Sequence, residues 1–176
     1  EQNKELQAIF ERTYGPVRRR REAQIRQAQN EEREARPAPR SGPEYLLIDG
    51  YNIIFAWEEL TAIARENLDA ARKGLCDLLC EYQGIRGCVV IVVFDAYKVK
   101  GNPGSHEKYH NIHVVYTKEA ETADAYIEAA VHEVARRHRV IVATSDGLEQ
   151  LTVLSMGALR MSARQLWSEV SSLKGS

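Results

Sequence analysis

Apolar residues come along this chain in two rhythms. Short runs rich in Val and Ile stand at Tyr45 to Ile48, Cys88 to Phe94, Ile112 to Tyr116 and Val140 to Ala143. Such runs, too short for core helices and without polar alternation, mark strands buried on both faces. They predict strands near 45–49, 88–94, 112–116 and 140–143, with a short fifth near 158–161. Between the first two, Ile63, Leu68, Ala71, Leu75, Leu78, Leu79 and Tyr82 recur at helical spacing and predict a helix from Ala62 to Tyr82. A second helix is expected over Glu121 to Arg137, with Ala125, Ile127, Ala130, Val131 and Val134 facing the sheet and Arg136 and Arg137 suiting its carboxy-terminal dipole. Ser145 reads as the cap of a helix over Asp146 to Ser155, and Ser162 as the cap of a last one ending near Val170. Strands alternating with helices give βαβ units, so the fold class is α/β with a mostly parallel sheet.

The rhythm is absent before Tyr45. Residues 1–36 form a charged arm, helical or disordered, rich in Arg, Gln and Glu and lacking an apolar stripe. Pro37, Pro39, Gly42 and Pro43 mark residues 37–44 as a linker, leaving 45–176 as the folded domain. The chain opens on Glu1 and not Met, which raises the expectation of a fragment from a longer protein.

Charge follows the same division. Residues 1–40 hold 10 Lys/Arg against 7 Asp/Glu, while the remainder holds 14 against 18, within a formal net charge of −1. Such a domain does not grip a polyanion by bulk electrostatics. Affinity for one must come from basic loops, the arm, bound cations or a partner. The run Arg18 to Arg21 could touch RNA or a ribosome surface, although a solvated segment is the plainer reading. No apolar run approaches the roughly 20 residues of a membrane helix, and no secretory leader is evident, so a cytoplasmic protein is expected. Cys76, Cys80 and Cys88 fall in apolar helix and strand and read as reduced core residues, since no second Cys/His pair completes a zinc site.

Candidate chemistry lies at the strand ends. Asp49 and Asp95 follow their strands directly, Asp146 follows the strand at 140–143 after two residues, and Asp124 comes one turn into the helix after the third strand. Parallel strands joined by right-handed crossovers gather such residues at one sheet edge, where ligands of open α/β sheets bind. Glu121, Asp124 and Glu128 stack along one helix face, although a surface charge is the plainer reading of Glu128. Clustered carboxylates oppose folding unless a cation sits among them, and Mg²⁺ or Mn²⁺ prefers such oxygens. The expected ligands are Asp49, Asp124 and Asp146, with Asn52 bonding substrate or water and Asp95 and Glu121 in the outer shell. A metal so held suits phosphodiester hydrolysis.

Four segments carry a family resemblance: Asp-Gly-Tyr-Asn-Ile-Ile (49–54), Val-Phe-Asp-Ala (93–96), Val-Tyr-Thr-Lys-Glu-Ala-Glu-Thr-Ala-Asp (115–124) and Ala-Thr-Ser-Asp (143–146). In this order they resemble the NYN domain family, most closely its bacterial YacP-like branch. That resemblance implies a PIN-like, Rossmann-like three-layer fold and a metal-dependent endoribonuclease, some relatives acting on mRNA at the ribosome. It supports Asp49, Asp124 and Asp146 as metal acids and Asn52 as the family's asparagine. It further implies products with a 5′-phosphate and a 3′-hydroxyl. The segment Arg-Thr-Tyr-Gly-Pro-Val-Arg-Arg-Arg (12–20) resembles the tail of ribosome-protection, elongation-factor-like GTPases, which implies an upstream GTPase domain as a partner in a longer chain.

The connection from Tyr97 to His110 carries Lys98, Lys100, Lys108 and Tyr109, expected to take RNA phosphates and stack a base, with a solvated loop as the alternative. His106, His110 and His113 do not form a convincing zinc set. Trp57 and Phe55 read as packing anchors, with a wall of the RNA groove as the alternative, and His132 and His138 as surface residues. Neither a P-loop nor a Gly-x-Gly-x-x-Gly turn is present. Two other readings stay open: a catalytically inactive RNA- or ribosome-binding module, and a small-molecule phosphohydrolase.

Overall fold

The computed structural model describes residue 24, residues 42–96 and residues 104–174. Apart from residue 24, the expected arm, most of the linker, Tyr97, Lys98 and Lys100 lie outside the described residues. Six described strands, β1 (Tyr45–Asp49), β2 (Val89–Phe94), β3 (His106–Tyr109), β4 (Ile112–Tyr116), β5 (Val140–Ala143) and β6 (Leu159–Met161), form one sheet in the order β3-β4-β2-β1-β5-β6. Every neighbouring pair is parallel except β3 with β4. The helices spanned by the described residues from 42 onward are α1 (Gly50–Ala56), α2 (Glu58–Glu66), α3 (Leu68–Arg86), α4 (Ala123–Val134), α5 (Gly147–Ser155) and α6 (Ala163–Lys174).

Alternation along the strands divides the core. Leu46 and Ile48 of β1 pack with Ile53, Leu75, Leu79 and Leu166, whereas Tyr45 and Leu47 pack with Tyr126, Ile127, Val131 and Val153. One sheet face is therefore covered by α1, α3 and α6 and the other by α4 and α5, giving the α/β three-layer arrangement. Every residue of β1 and β2 is buried, which is why these strands read as unbroken apolar runs. The chain steps from β1 to β2 to β4 on one side and then crosses back to β5 on the other side of β1. The connections after β1 and β5 consequently leave on opposite faces, opening a crevice between two adjacent strands.

Local chemistry corrects several boundaries. The expected helix from Ala62 to Tyr82 is broken at Asn67, whose side chain accepts a hydrogen bond from Ala70 N at 3.1 Å and caps α3. That helix runs on to Arg86 and stops at Gly87, which has φ 71°, a left-handed conformation glycine adopts without strain. A helix directly after Asp49 was not expected either. Gly50 permits it, because a Cβ there would lie 2.3 Å from the buried ring of Phe94. The cap of α5 is Asp146 and not Ser145.

The connection after β2 also differs from the expected open loop, because β3 folds back on β4 as an antiparallel edge strand. Its register sets Lys108 opposite His113 and Tyr109 opposite Ile112, the first residue of β4. Both residues thus sit at the end of β4 away from the carboxylate rim. The Tyr109 hydroxyl donates to Asp77 Oδ1 at 2.6 Å. Lys108 and Tyr109, expected to meet RNA, therefore stand away from the carboxylate rim.

Candidate functional site

Three backbone junctions aim carboxylates into the crevice. Asp49 ends β1 and is 5% exposed, since α1 starts at the next residue and closes over it. Asp124 lies in the first turn of α4, whose cap Thr122 accepts from Ala125 N at 3.1 Å. Glu149 lies in the first turn of α5 and is 1% exposed. One carboxylate oxygen from each of Asp49, Asp124 and Glu149 comes within 4.8 Å of the others.

Glu149, and not Asp146, completes the carboxylate cluster with Asp49 and Asp124. Asp146 does line the cleft, but its Oδ1 accepts from Leu148 N at 3.0 Å and Glu149 N at 3.4 Å and caps α5. Three residues after a capping acid, a glutamate ordinarily reads as the partner in a capping box. Here it turns inward, where the Thr144 hydroxyl donates to its Oε2 at 3.0 Å. The available signal was position, since a helix whose cap stands on the rim offers its first turn to the same crevice.

The other expected residues brace this arrangement. Asn52 accepts at its Oδ1 from Ser145 N and Ser145 Oγ, with Thr144 Oγ1 3.1 Å away, tying α1 to the turn after β5. Its carbonyl oxygen is therefore spoken for, and the amide nitrogen is the end it can turn to a ligand in the cleft it lines. Asp95 accepts from Ala123 N at 2.7 Å, which pins the start of α4 and hence Asp124. Glu121 accepts from Lys118 N at 3.1 Å and closes its own turn. Thr117 links these parts, accepting from Ala96 N at 3.0 Å and donating to Glu121 O at 2.8 Å.

Two expectations about exposure are overturned. Glu128, read as a surface charge, is 4% exposed because α4 is covered along the stripe that continues from Asp124. Phe55, read as a packing anchor, is 50% exposed and lines the cleft, while Trp57 is buried as expected.

Electrostatics sharpens the picture. Burial pushes Asp49 well above the ordinary carboxylate range; a hydrogen bond with Glu149 works against the rise and the charge of Asp124 adds to it. Glu149 is raised further still, first by burial and then by the charges of Asp49 and Asp124. Asp49 and Glu149 thus favour holding protons, or sharing a cation, over carrying their full negative charge. The cleft has a volume of about 390 Å³ and is lined by Tyr51, Asn52, Phe55, Asp95 and Asp146 beside Asp49 and Asp124.

Comparison with known proteins gives this geometry a family. Residues 46–176 match the YacP-like NYN domain. The chain belongs to that family. It is 42% identical over 134 residues to the uncharacterized protein YacP of Bacillus subtilis strain 168, covering 74% of this chain and 77% of that protein. Among solved structures, it resembles the crystal structure of Rae1 (YacP) from Bacillus subtilis with a TM-score of 0.65 and 42% identity, over 74% of this chain and 75% of that one. A tryptophan-to-leucine variant of the same protein matches with a TM-score of 0.63 and 40% identity, over 74% and 76%. Membership of the YacP-like NYN family, with its PIN-like fold, supports a nuclease role. Among the described residues no helix is long and apolar enough to cross a membrane.

Proposed function

We propose that this protein is a divalent-metal-dependent endoribonuclease that hydrolyses RNA phosphodiester bonds, leaving a 5′-phosphate and a 3′-hydroxyl. The observation that carries the reading is the convergence of Asp49, Asp124 and Glu149 oxygens within 4.8 Å at the sheet's switch point. These residues fit a hard cation. Their donors are all carboxylate oxygens, and the buried Glu149 Oε1 receives no hydrogen bond from a backbone or side-chain N–H or hydroxyl. When bound, Mg²⁺ or Mn²⁺ would orient and activate water and offset charge on the phosphate under attack. The chain's own groups would do the rest. Asn52 offers its amide N–H to a phosphate oxygen, Asp95 holds α4 in place, and the exposed ring of Phe55 presents a face on which an unpaired base can stack. Asp146 keeps a place in the cleft as the α5 cap and stands as an outer ligand through water.

The expectations of a ribosomal setting, an mRNA substrate and an upstream GTPase domain rest on family likeness and on residues outside those described. They form no part of this reading.

Purified protein is expected to cleave single-stranded RNA with Mg²⁺ or Mn²⁺ and to lose at least about a hundredfold in rate as Asp49→Asn, which cancels one ligand charge at constant shape. Cleavage that survives excess chelator, or that Asp49→Asn leaves intact, rejects the metal mechanism.

A further inference from the structure

A second cavity, of about 670 Å³, opens beside the carboxylate cleft, and Ala56 and Ser145 line both. Its walls carry Trp57 and Trp167, whose rings meet edge to face at 5.0 Å. Trp57 is fixed, because its buried indole N–H donates to Ala163 O at 2.8 Å. Trp167 is half-buried. Gln150, also in the wall, donates its amide to Thr144 O at 2.7 Å, so its carbonyl oxygen is the end left for a ligand. The lining also carries Arg164 from α6 and Glu58 and Glu59 from α2, all exposed.

This chemistry selects among the parts of a nucleotide. Two glutamates against one arginine do not cradle a phosphate. A nucleobase suits the groove better, having an apolar face for the half-buried Trp167 ring, which buried Trp57 backs, and a polar edge for the amide and carboxylates. The arginine can then take the phosphate at the groove's mouth. A base held in a duplex is stacked and paired, so only an unpaired one can enter.

We propose that this groove is a nucleobase subsite, which seats a base of single-stranded RNA beside the phosphodiester to be cleaved and thereby sets which bond is cut. The proposal rests on the nuclease reading of the adjoining cleft. Trp57 and Trp167 are the chain's two tryptophans, so intrinsic fluorescence reports on this groove directly.

The test titrates a short single-stranded oligoribonucleotide into the full chain carrying Asp49→Asn, where turnover is removed. Saturable quenching is expected, and Arg164→Glu or Trp167→Leu should weaken it about tenfold, the cost of losing a stacked base or its phosphate contact. Arg137→Glu, the same charge change on an exposed residue just before β5 and away from the rim, should leave it unchanged. In the cleaving protein, Arg164→Glu should raise KM about tenfold with kcat within about twofold. A duplex of the same sequence should give no saturable quenching. Equal weakening by Arg164→Glu and Arg137→Glu would reduce the effect to general electrostatics and overturn the subsite. So would cleavage by wild type without any quenching, which leaves the nuclease reading standing. Quenching in a wild-type protein that cleaves nothing with either metal would instead sink the nuclease reading and leave a base-binding groove.

Discussion

A buried acid shifts the stability of this protein in a direction its sequence alone would not give. Asp49 is raised to about 7 in the fold, against roughly 4 in an unfolded chain. The folded state therefore holds a proton that the unfolded state has released. Stability from this group is fully present at low pH and is lost as pH rises toward and through 7. Half-buried His106 and buried His113 are lowered by burial and work in the opposite sense, so the informative quantity is a difference between proteins. Without metal, Asp49→Asn should gain on wild type by about 2 kcal/mol between pH 5.5 and pH 8. Urea denaturation in chelator at both pH values measures this, and a constant difference would show that burial does not raise Asp49.

The elements owe their placement to a few close approaches. Gly50 lets α1 begin directly after Asp49 and closes the cleft from one side. Phe94, which a Cβ would meet, cannot yield easily, as its ring is held by Tyr51 at 5.0 Å and Tyr116 at 5.8 Å. Gly50→Ala should cost about 1 to 3 kcal/mol, the usual range for overpacking a filled core, and lower cleavage as Asp49 is displaced. A midpoint of denaturation equal to wild type would mean the β1–α1 junction has slack that the structure does not indicate. At this scale the sequence was partly legible. Strands at 45–49, 112–116 and 140–143 fell where the apolar runs placed them, because burial on both faces leaves an unbroken pattern. The break at Asn67 was hidden, since Ile63 keeps the helical spacing of the stripe in the sequence although it stands exposed on α2, which packs through Leu60 instead. The β3 hairpin was hidden too, as His106 to Tyr109 carries polar residues on a partly exposed edge.

For the whole molecule, a cation among three carboxylates should act as a clamp between sheet and helices, since β1, α4 and α5 each supply one. A ligand that binds only the folded state stabilises by mass action, about 2.7 kcal/mol at a hundred times its dissociation constant. In a domain of this size that raises Tm by roughly 5 to 10 °C. Saturating Mn²⁺ should produce such a shift in wild type and in Asp146→Asn, which keeps a capping side chain, and should fail to produce it in Glu149→Gln. Differential scanning calorimetry of the three proteins decides it. A shift lost in Asp146→Asn and kept in Glu149→Gln would restore the ligand set expected from the sequence.

The sequence by itself determined an α/β sheet with acids at its strand ends, because strand burial and junction position are written locally as apolar runs followed by a carboxylate. It also carried the family likeness on four short segments. Only the tertiary structure decided which acids meet. Asp146 and Glu149 stand three residues apart on one helix start, and the packing of α5 sends one to the backbone and the other into the triad. Asp95 and Glu121, expected in the outer shell, and Asn52 are each drawn to a backbone or turn partner, a local one for Glu121 and, for Asp95 and Asn52, one that only the pairing of distant strands brings near. Side-chain direction depends on packing, which sequence spacing does not record.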